Sequence, residues 1–208
     1  MGFYQFAQHI CVGLVRIIFR FKTEGLENLP KEGGFILCSN HRSYLDPVLL
    51  AVDVKGRQFR FMAKEELFHV KLLAPLIRKL GAFPIARGKG DTAAVEFAIN
   101  TVKSGQALIL FPEGTRSKTG ELLKLKSGVI VIAAQSKGTI IPTTIVFEGK
   151  LHFRSRVTIR YGKPISCEEL NLKGIDRESL KQARDLVTSR MQELLEAGFL
   201  ALQWQNRQ

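Results

Sequence analysis

His41 and Asp46 stand five residues apart in the run Ser39-Asn40-His41-Arg42-Ser43-Tyr44-Leu45-Asp46-Pro47. On a regular helix that spacing separates the two side chains, whereas in a turn they can meet. A carboxylate that accepts from one imidazole nitrogen fixes the ring's tautomer and leaves the other nitrogen as a base. The same spacing also fits a loop histidine beside a helix start, with Asp46 as the N-cap and Pro47 in the first turn. Two further loops carry cations. In Ile85-Ala86-Arg87-Gly88-Lys89-Gly90-Asp91 an arginine sits at a helix start, where backbone N–H groups and a guanidinium converge on phosphate. The glycines imitate a G-x-G-x-x-A dinucleotide fingerprint, with Glu113 following 20 residues after Ala93. Pro84 interrupts the preceding strand, however, and the P-loop pattern fails outright. In Phe111-Pro112-Glu113-Gly114-Thr115-Arg116-Ser117-Lys118, Gly114 permits a tight turn. Arg116 offers a bidentate fork to phosphate, and Thr115 and Ser117 add hydroxyls. A solvated basic turn is the plainer reading of that loop.

Other chemistries lack their parts. No G-x-S-x-G elbow occurs, so a serine hydrolase is disfavoured. Cys38 and His41 make one C-x-x-H with no second pair to complete a zinc site, and no metal is expected.

The elements that must hold these loops alternate. Strands are expected over residues 35–38, 59–62, 82–85, 107–111, 140–147 and 157–160. Helices are expected over 47–54, 72–80, 92–104, 127–135 and 177–197. Alternation of this kind predicts a single α/β domain with a largely parallel mixed sheet flanked by helices, its functional loops at the strand ends. Residues 3–21 form the most apolar stretch, as a helix about 28 Å long. His9, Arg16 and Arg20 argue against a simple span, because charge near mid-bilayer is costly. Gln5, Gln8, His9, Arg16 and Arg20 fall on one side, with Phe3, Phe6, Ala7, Ile10, Cys11, Leu14, Ile17, Ile18 and Phe21 on the other. That pattern reads as an amphipathic helix lying in the membrane interface, the alternative being a helix packed on the protein's own core. The expected division is residues 1–24 for this helix and 25–208 for the catalytic domain.

The 208 residues are 45% hydrophobic and 24% charged, which excludes disordered and collagen-like classes. The net charge of +12 and a pI of about 9.9 call for an anionic partner. No run of aromatics interleaved with basic residues supports single-strand stacking, so nucleic acid is not expected. Cys11, Cys38 and Cys167 are odd in number and widely spaced, as for reduced thiols in a cytosol-facing protein.

Taken together the loops resemble those of the glycerolipid acyltransferases, and among these the bacterial 1-acyl-glycerol-3-phosphate acyltransferases. The stretch from Asn40 to Asp46 is similar to the family's H-x-x-x-x-D block. Gly81-Ala82-Phe83-Pro84-Ile85-Ala86-Arg87 resembles its second block, Phe111-Pro112-Glu113-Gly114-Thr115-Arg116-Ser117 its third, and Ile141-Pro142-Thr143 its fourth. Met62-Ala63-Lys64-Glu65-Glu66-Leu67-Phe68 resembles the family's A-K-x-E-L stretch.

The resemblance implies transfer of a fatty acyl group from a thioester, acyl-CoA or acyl carrier protein, to the hydroxyl of lysophosphatidate, with no bound cofactor. It implies His41 as general base, oriented by Asp46, and a phosphate site made by Lys64, Arg87 and Arg116 and shaped by Glu113, Gly114 and Thr115. It implies work at the cytoplasmic face of the cell membrane, on a surface with anionic phospholipid, as a peripheral or monotopic protein. Glycerol-3-phosphate acyltransferases share a similar His-Arg-Ser block and stand second, with other lysophospholipid acyltransferases behind them. A non-catalytic module that binds anionic lipid would keep the basic loops without needing His41 or Asp46.

Overall fold

A computed structural model describes residues 2–85, 92–172, 174 and 176–206. Seven strands form one sheet: β1 (Arg20–Glu24), β2 (Phe35–Ser39), β3 (Phe59–Lys64), β4 (Ala82–Ile85), β5 (Ala107–Leu110), β6 (Thr139–Val146) and β7 (Arg156–Tyr161). Their order is β1-β7-β6-β2-β5-β3-β4, every pair parallel except β6 with β7. The helices are α1 (Phe3–Ile18), α2 (Asp46–Ala51), α3 (Leu73–Lys79), α4 (Thr92–Lys103), α5 (Gly128–Ser136) and α6 (Arg177–Asn206). This is the expected mixed α/β sheet.

β2 lies at the centre and shows why its sequence is continuously apolar. Phe35 and Leu37 pack toward α1 and α2, while Ile36 and Cys38 pack toward α4, α5 and α6. All five β2 residues are buried, as in a parallel strand covered on both faces. Each such side chain contributes roughly 1.5–3 kcal/mol of burial energy. The carboxyl ends of β2, β3, β4, β5 and β6 share one edge of the sheet, and the loops of interest leave from that edge.

Three expectations fail for identifiable reasons. The helix expected over residues 3–21 ends at Ile18, and Arg20–Glu24 becomes β1, paired in parallel with β7. Phe19 and Phe21 serve a strand's period of two, while Phe21 also falls on the helical apolar face, and the partner strand lies more than 130 residues away. Asp46 is not an N-cap but the first helical residue, with Leu45 at the cap. α6 runs on to Asn206, through Gly198, where a stop at residue 197 was expected. That glycine serves close packing: a Cβ there would lie 2.6 Å from Val146 Cγ2.

α1 packs partly on the protein's own core and leaves part of its apolar side exposed. Val15 and the following Phe19 are buried, and Cys11 and Val12 pack against the α1–α2 face of the core. The polar side partly turns inward: Gln8 Nε2 donates to the carbonyls of Ala51 and Val54 at 2.8 Å, and Arg16 pairs with Asp53 at 2.9 Å. The outward stripe of Phe3, Phe6, Ile10, Leu14 and Ile17 is apolar and exposed. Among the described residues no helix is long and apolar enough to cross a membrane.

Candidate active site

Where β2 leaves the sheet, a side chain takes over the work of the backbone. Asn40, fully buried, accepts from Ile145 N–H at 2.8 Å and donates to Ile145 C=O at 3.1 Å, so its amide continues the pairing with β6. The next residue, His41, is then held by the loop that follows β5. Its N–H donates to Glu113 Oε1 at 2.7 Å, and its C=O accepts from Ser117 N–H at 2.7 Å. Both backbone polar groups of His41 are thus tied to the segment that follows β5.

The imidazole is fixed as tightly. Nδ1 lies 2.7 Å from Asp46 Oδ2, and the ring stacks on Phe111 with centroids 4.2 Å apart. Asp46 is fully buried, and its Oδ2 also accepts from the N–H groups of Arg42 at 2.7 Å and Ser43 at 2.8 Å. An ionised carboxylate only accepts, so Nδ1 carries the proton and Nε2 presents a lone pair. Nε2 has no hydrogen-bond partner among the described residues. The turn that the five-residue spacing allowed is present.

Glu113 is directed inward. Oε1 holds His41 N–H and Oε2 accepts from Leu123 N–H at 2.9 Å, and the residue is 4% exposed. Burial pushes its carboxyl above the ordinary value, against the pull of the Leu123 and His41 amides. Gly114 has a φ of 71°, and a Cβ there would lie 2.7 Å from Lys126 Nζ, so the missing side chain makes room for a lysine that sequence reading overlooked. Thr115 is exposed. Arg116 is exposed too, with its guanidinium 3.6 Å above the ring of Tyr44 in the loop that follows β2. That stacking sets the cation against a residue three along from His41.

Lys64 ends β3 at the same edge, two strand positions from β2, or about 10 Å at the usual strand spacing. Its Nζ meets Glu66 at 2.7 Å, an exposed pair worth little. Arg87 lies outside the described residues, as does all of 86–91.

Arg42, beside the histidine, is consumed structurally. It donates to the carbonyls of Phe147 and, at 3.2 Å, Gly149, and it lies 3.8 Å over the Phe147 ring. Asn40, Ser117, Phe111 and Arg42 were missed as positioning groups, because their partners sit 70 or more residues away. Only the polarity of Asn40 at the end of an apolar strand hinted at such a role.

The site offers no nucleophile of its own and no open ligand set. Cys38 Sγ lies 3.6 Å from Met191 Sδ in the opposite core, and burial raises its thiol far above the ordinary range. Ser43 Oγ accepts from Leu45 N–H rather than meeting the imidazole. Among the described residues, no group of three or more His, Cys, Asp or Glu side chains is placed to hold a metal ion. What remains is a base on a rigid mount beside an exposed guanidinium. Next to it, from Pro47 onward, an apolar cleft lined by Ala7, Cys11, Val48, Phe59 and Phe61 opens between α1, α2 and β3.

Comparison with known proteins places this arrangement. Residues 20–146, more than half of the chain, match the family model described as Acyltransferase. A 1-acyl-sn-glycerol-3-phosphate acyltransferase of Streptococcus pneumoniae is 33% identical over 181 residues, covering 85% of this chain and 65% of that protein. The Bacillus subtilis protein of the same name is 29% identical over 164 residues, covering 74% and 80%. The crystal structure of the 1-acyl-sn-glycerophosphate acyltransferase PlsC from Thermotoga maritima superimposes with a TM-score of 0.72 at 25% identity, over 93% of this chain and 80% of that one. The matched segment runs from β1 to the end of β6 and holds every strand end that frames His41, so the chain belongs to the acyltransferase family.

Proposed function

We propose that this protein transfers a fatty acyl group from an acyl thioester to the free hydroxyl of 1-acyl-glycerol 3-phosphate, forming phosphatidate. The observation that carries the reading is His41 held by Asp46 with Nε2 free, on a loop laced to the one that bears Arg116. The names of the streptococcal, Bacillus and Thermotoga relatives agree with that acceptor.

In this mechanism Nε2 takes the proton of the acceptor hydroxyl as its oxygen attacks the thioester carbonyl. The C–S bond then breaks and the imidazolium returns the proton to the departing thiolate. Asp46 keeps the ring in its tautomer and balances the imidazolium charge. No acyl-enzyme forms, since Cys38 and Ser43 face elsewhere. Arg116, with Lys64, Lys126 and Arg87, supplies positive charge for the acceptor phosphate, and the apolar cleft beside Pro47 suits acyl chains. Glu113 acts on the backbone of His41 instead of on substrate.

The test is product identification by mass spectrometry, with acyl-CoA and acyl carrier protein each offered against lysophosphatidate and glycerol 3-phosphate. Phosphatidate is the expected product, and the productive thioester names the donor. Lysophosphatidate formed from glycerol 3-phosphate would instead support the shorter acceptor, and lipid binding without turnover a non-catalytic module. Arg116→Ala is expected to raise the acceptor KM by ~10-fold or more with the donor KM nearly unchanged, as for loss of one charge-assisted phosphate contact. Equal shifts in both constants would count against a phosphate role.

The reading includes peripheral or monotopic attachment at the cytoplasmic face of the cell membrane. Nothing described covers the outward apolar stripe of α1, and the three cysteines are free thiols, as suits a reducing compartment. Because α1 also covers core residues, deleting it would damage the fold, and surface substitutions are the cleaner probe. Phe6→Ser, Ile10→Ser and Ile17→Ser together are expected to lower vesicle binding by ~10²-fold or more, from the apolar area each contributes. Unchanged flotation would place the attachment elsewhere.

A further inference from the structure

Arg20 and Arg156 are register partners at the start of β1 and β7, so two guanidiniums leave neighbouring strands side by side. They line a pocket of about 310 Å³ together with Glu148, His152, Arg154 and Ser155. Among the described residues, three arginines and a histidine line it with one carboxylate, and like charges opposite one another across strands repel. Among the described residues, Arg20 and Arg154 have no acidic partner within 4 Å.

The turn that supplies Arg154 is built to hold it there. Ser155 N–H donates to His152 C=O at 3.1 Å, and His152 N–H donates to Ser155 Oγ at 2.9 Å. The turn is fastened to the end of α1: Arg154 N–H donates to Ile18 C=O at 2.6 Å, and Arg20 N–H donates to Ser155 C=O at 2.9 Å. Arg154 has a φ of 67°, a conformation that favours glycine. No described contact of its side chain offsets that strain. Phe153, at the tip of the turn, is 68% exposed, and Ile17 nearby on α1 is 65% exposed. A cationic pocket thus adjoins exposed apolar side chains, the composition of a surface that meets phosphates and acyl chains together.

We propose that this pocket binds the phosphate of an anionic phospholipid headgroup of the bilayer, a lipid distinct from the reacting acceptor, with Phe153 entering the interface beside it. The proposal rests on the reading that α1 lies on a membrane. It would orient the protein at the end of α1 and favour anionic over neutral membranes.

The experiment measures partitioning of the full chain onto phosphatidylcholine vesicles with and without phosphatidylglycerol, at about 0.1 M salt, where exposed charges still act over ~10 Å. Arg20→Gln with Arg154→Gln is expected to weaken binding to the anionic vesicles ~10–30-fold, with neutral vesicles bound as before. Arg154→Gly separates ligand from fold. It relieves the positive φ, so the melting temperature holds or rises while anionic binding falls. Wild-type binding of the anionic vesicles by the double variant would overturn the proposal, as would an equal loss on both vesicle types. Inorganic phosphate that binds wild type but not the double variant, with vesicle partitioning unchanged, would assign the pocket to a soluble phosphate instead. Wild type bound to neither vesicle would reject the membrane reading along with the pocket, whereas headgroup preference without acyl transfer would reject only the enzymatic reading.

Discussion

His41→Ala reduces acyl transfer by ~10²–10⁴-fold, the range for loss of a positioned general base, and leaves a folded protein. The kinetic loss follows from geometry: with the imidazole gone, no described group takes its place over Phe111 beside Asp46. The fold survives because Asp46 Oδ2 keeps the N–H groups of Arg42 and Ser43. What is lost is a ring stack worth roughly 0.5–1.5 kcal/mol and a hydrogen bond to a fully buried carboxylate. Steady-state rates together with calorimetric melting check both halves. Turnover above a tenth of wild type in a correctly folded variant would remove His41 from the mechanism.

Glu113→Ala should cost both stability and rate. The substitution leaves the N–H groups of His41 and Leu123 without an acceptor, at ~1–3 kcal/mol each, so a total of roughly 2–6 kcal/mol is expected. It also frees the peptide that aims the imidazole, and a shift of an ångström at a reacting group can cost ~10²-fold. The signature of a positioning group is a fall in kcat with the acceptor KM little changed. A residue that touched the phosphate would move KM, as Arg116→Ala is expected to do. Glu113→Gln retains one acceptor oxygen but turns an NH₂ toward the second donor, so its rate and stability should lie between wild type and alanine. A large acceptor KM effect in both Glu113 variants would restore it to the substrate site.

Glu113 also leaves a mark on the pH dependence of folding. Its carboxyl is raised above the ordinary 4.5 by burial, so the folded protein holds the proton more tightly than the unfolded chain. This group's contribution is present at acid pH and declines as pH rises from 4.5 through the raised value. Denaturation midpoints across that window should show the decline in wild type and lack it in Glu113→Ala.

Much of the fold was legible because its determinants are local. Residues 35–38 read as a buried strand from four apolar side chains in a row, and residues 92–104 read as a helix from periodicity alone. The reading failed where one pattern serves two periods. Phe21 falls on the helical apolar stripe as well as it suits a strand, and only pairing with β7 turned Arg20–Glu24 into a strand. Gly198 reads as a helix stop until Val146 is seen packed against it.

The site divides in the same way. His41 and Asp46 lie close enough in the chain for a single turn to join them, so residue type and spacing made the pair and the loop cations candidates, and the resemblance of four motifs in order to the acyltransferases chose the catalytic reading. The inward aim of Glu113, the amide of Asn40 replacing a strand's hydrogen bonds, and the stacking of Arg116 on Tyr44 were decided only by the tertiary structure. Each of these joins segments 70 to more than 100 residues apart. A hydrogen bond or ring contact needs its partner within a few ångströms, and over such separations that proximity is set by the packing of the whole sheet.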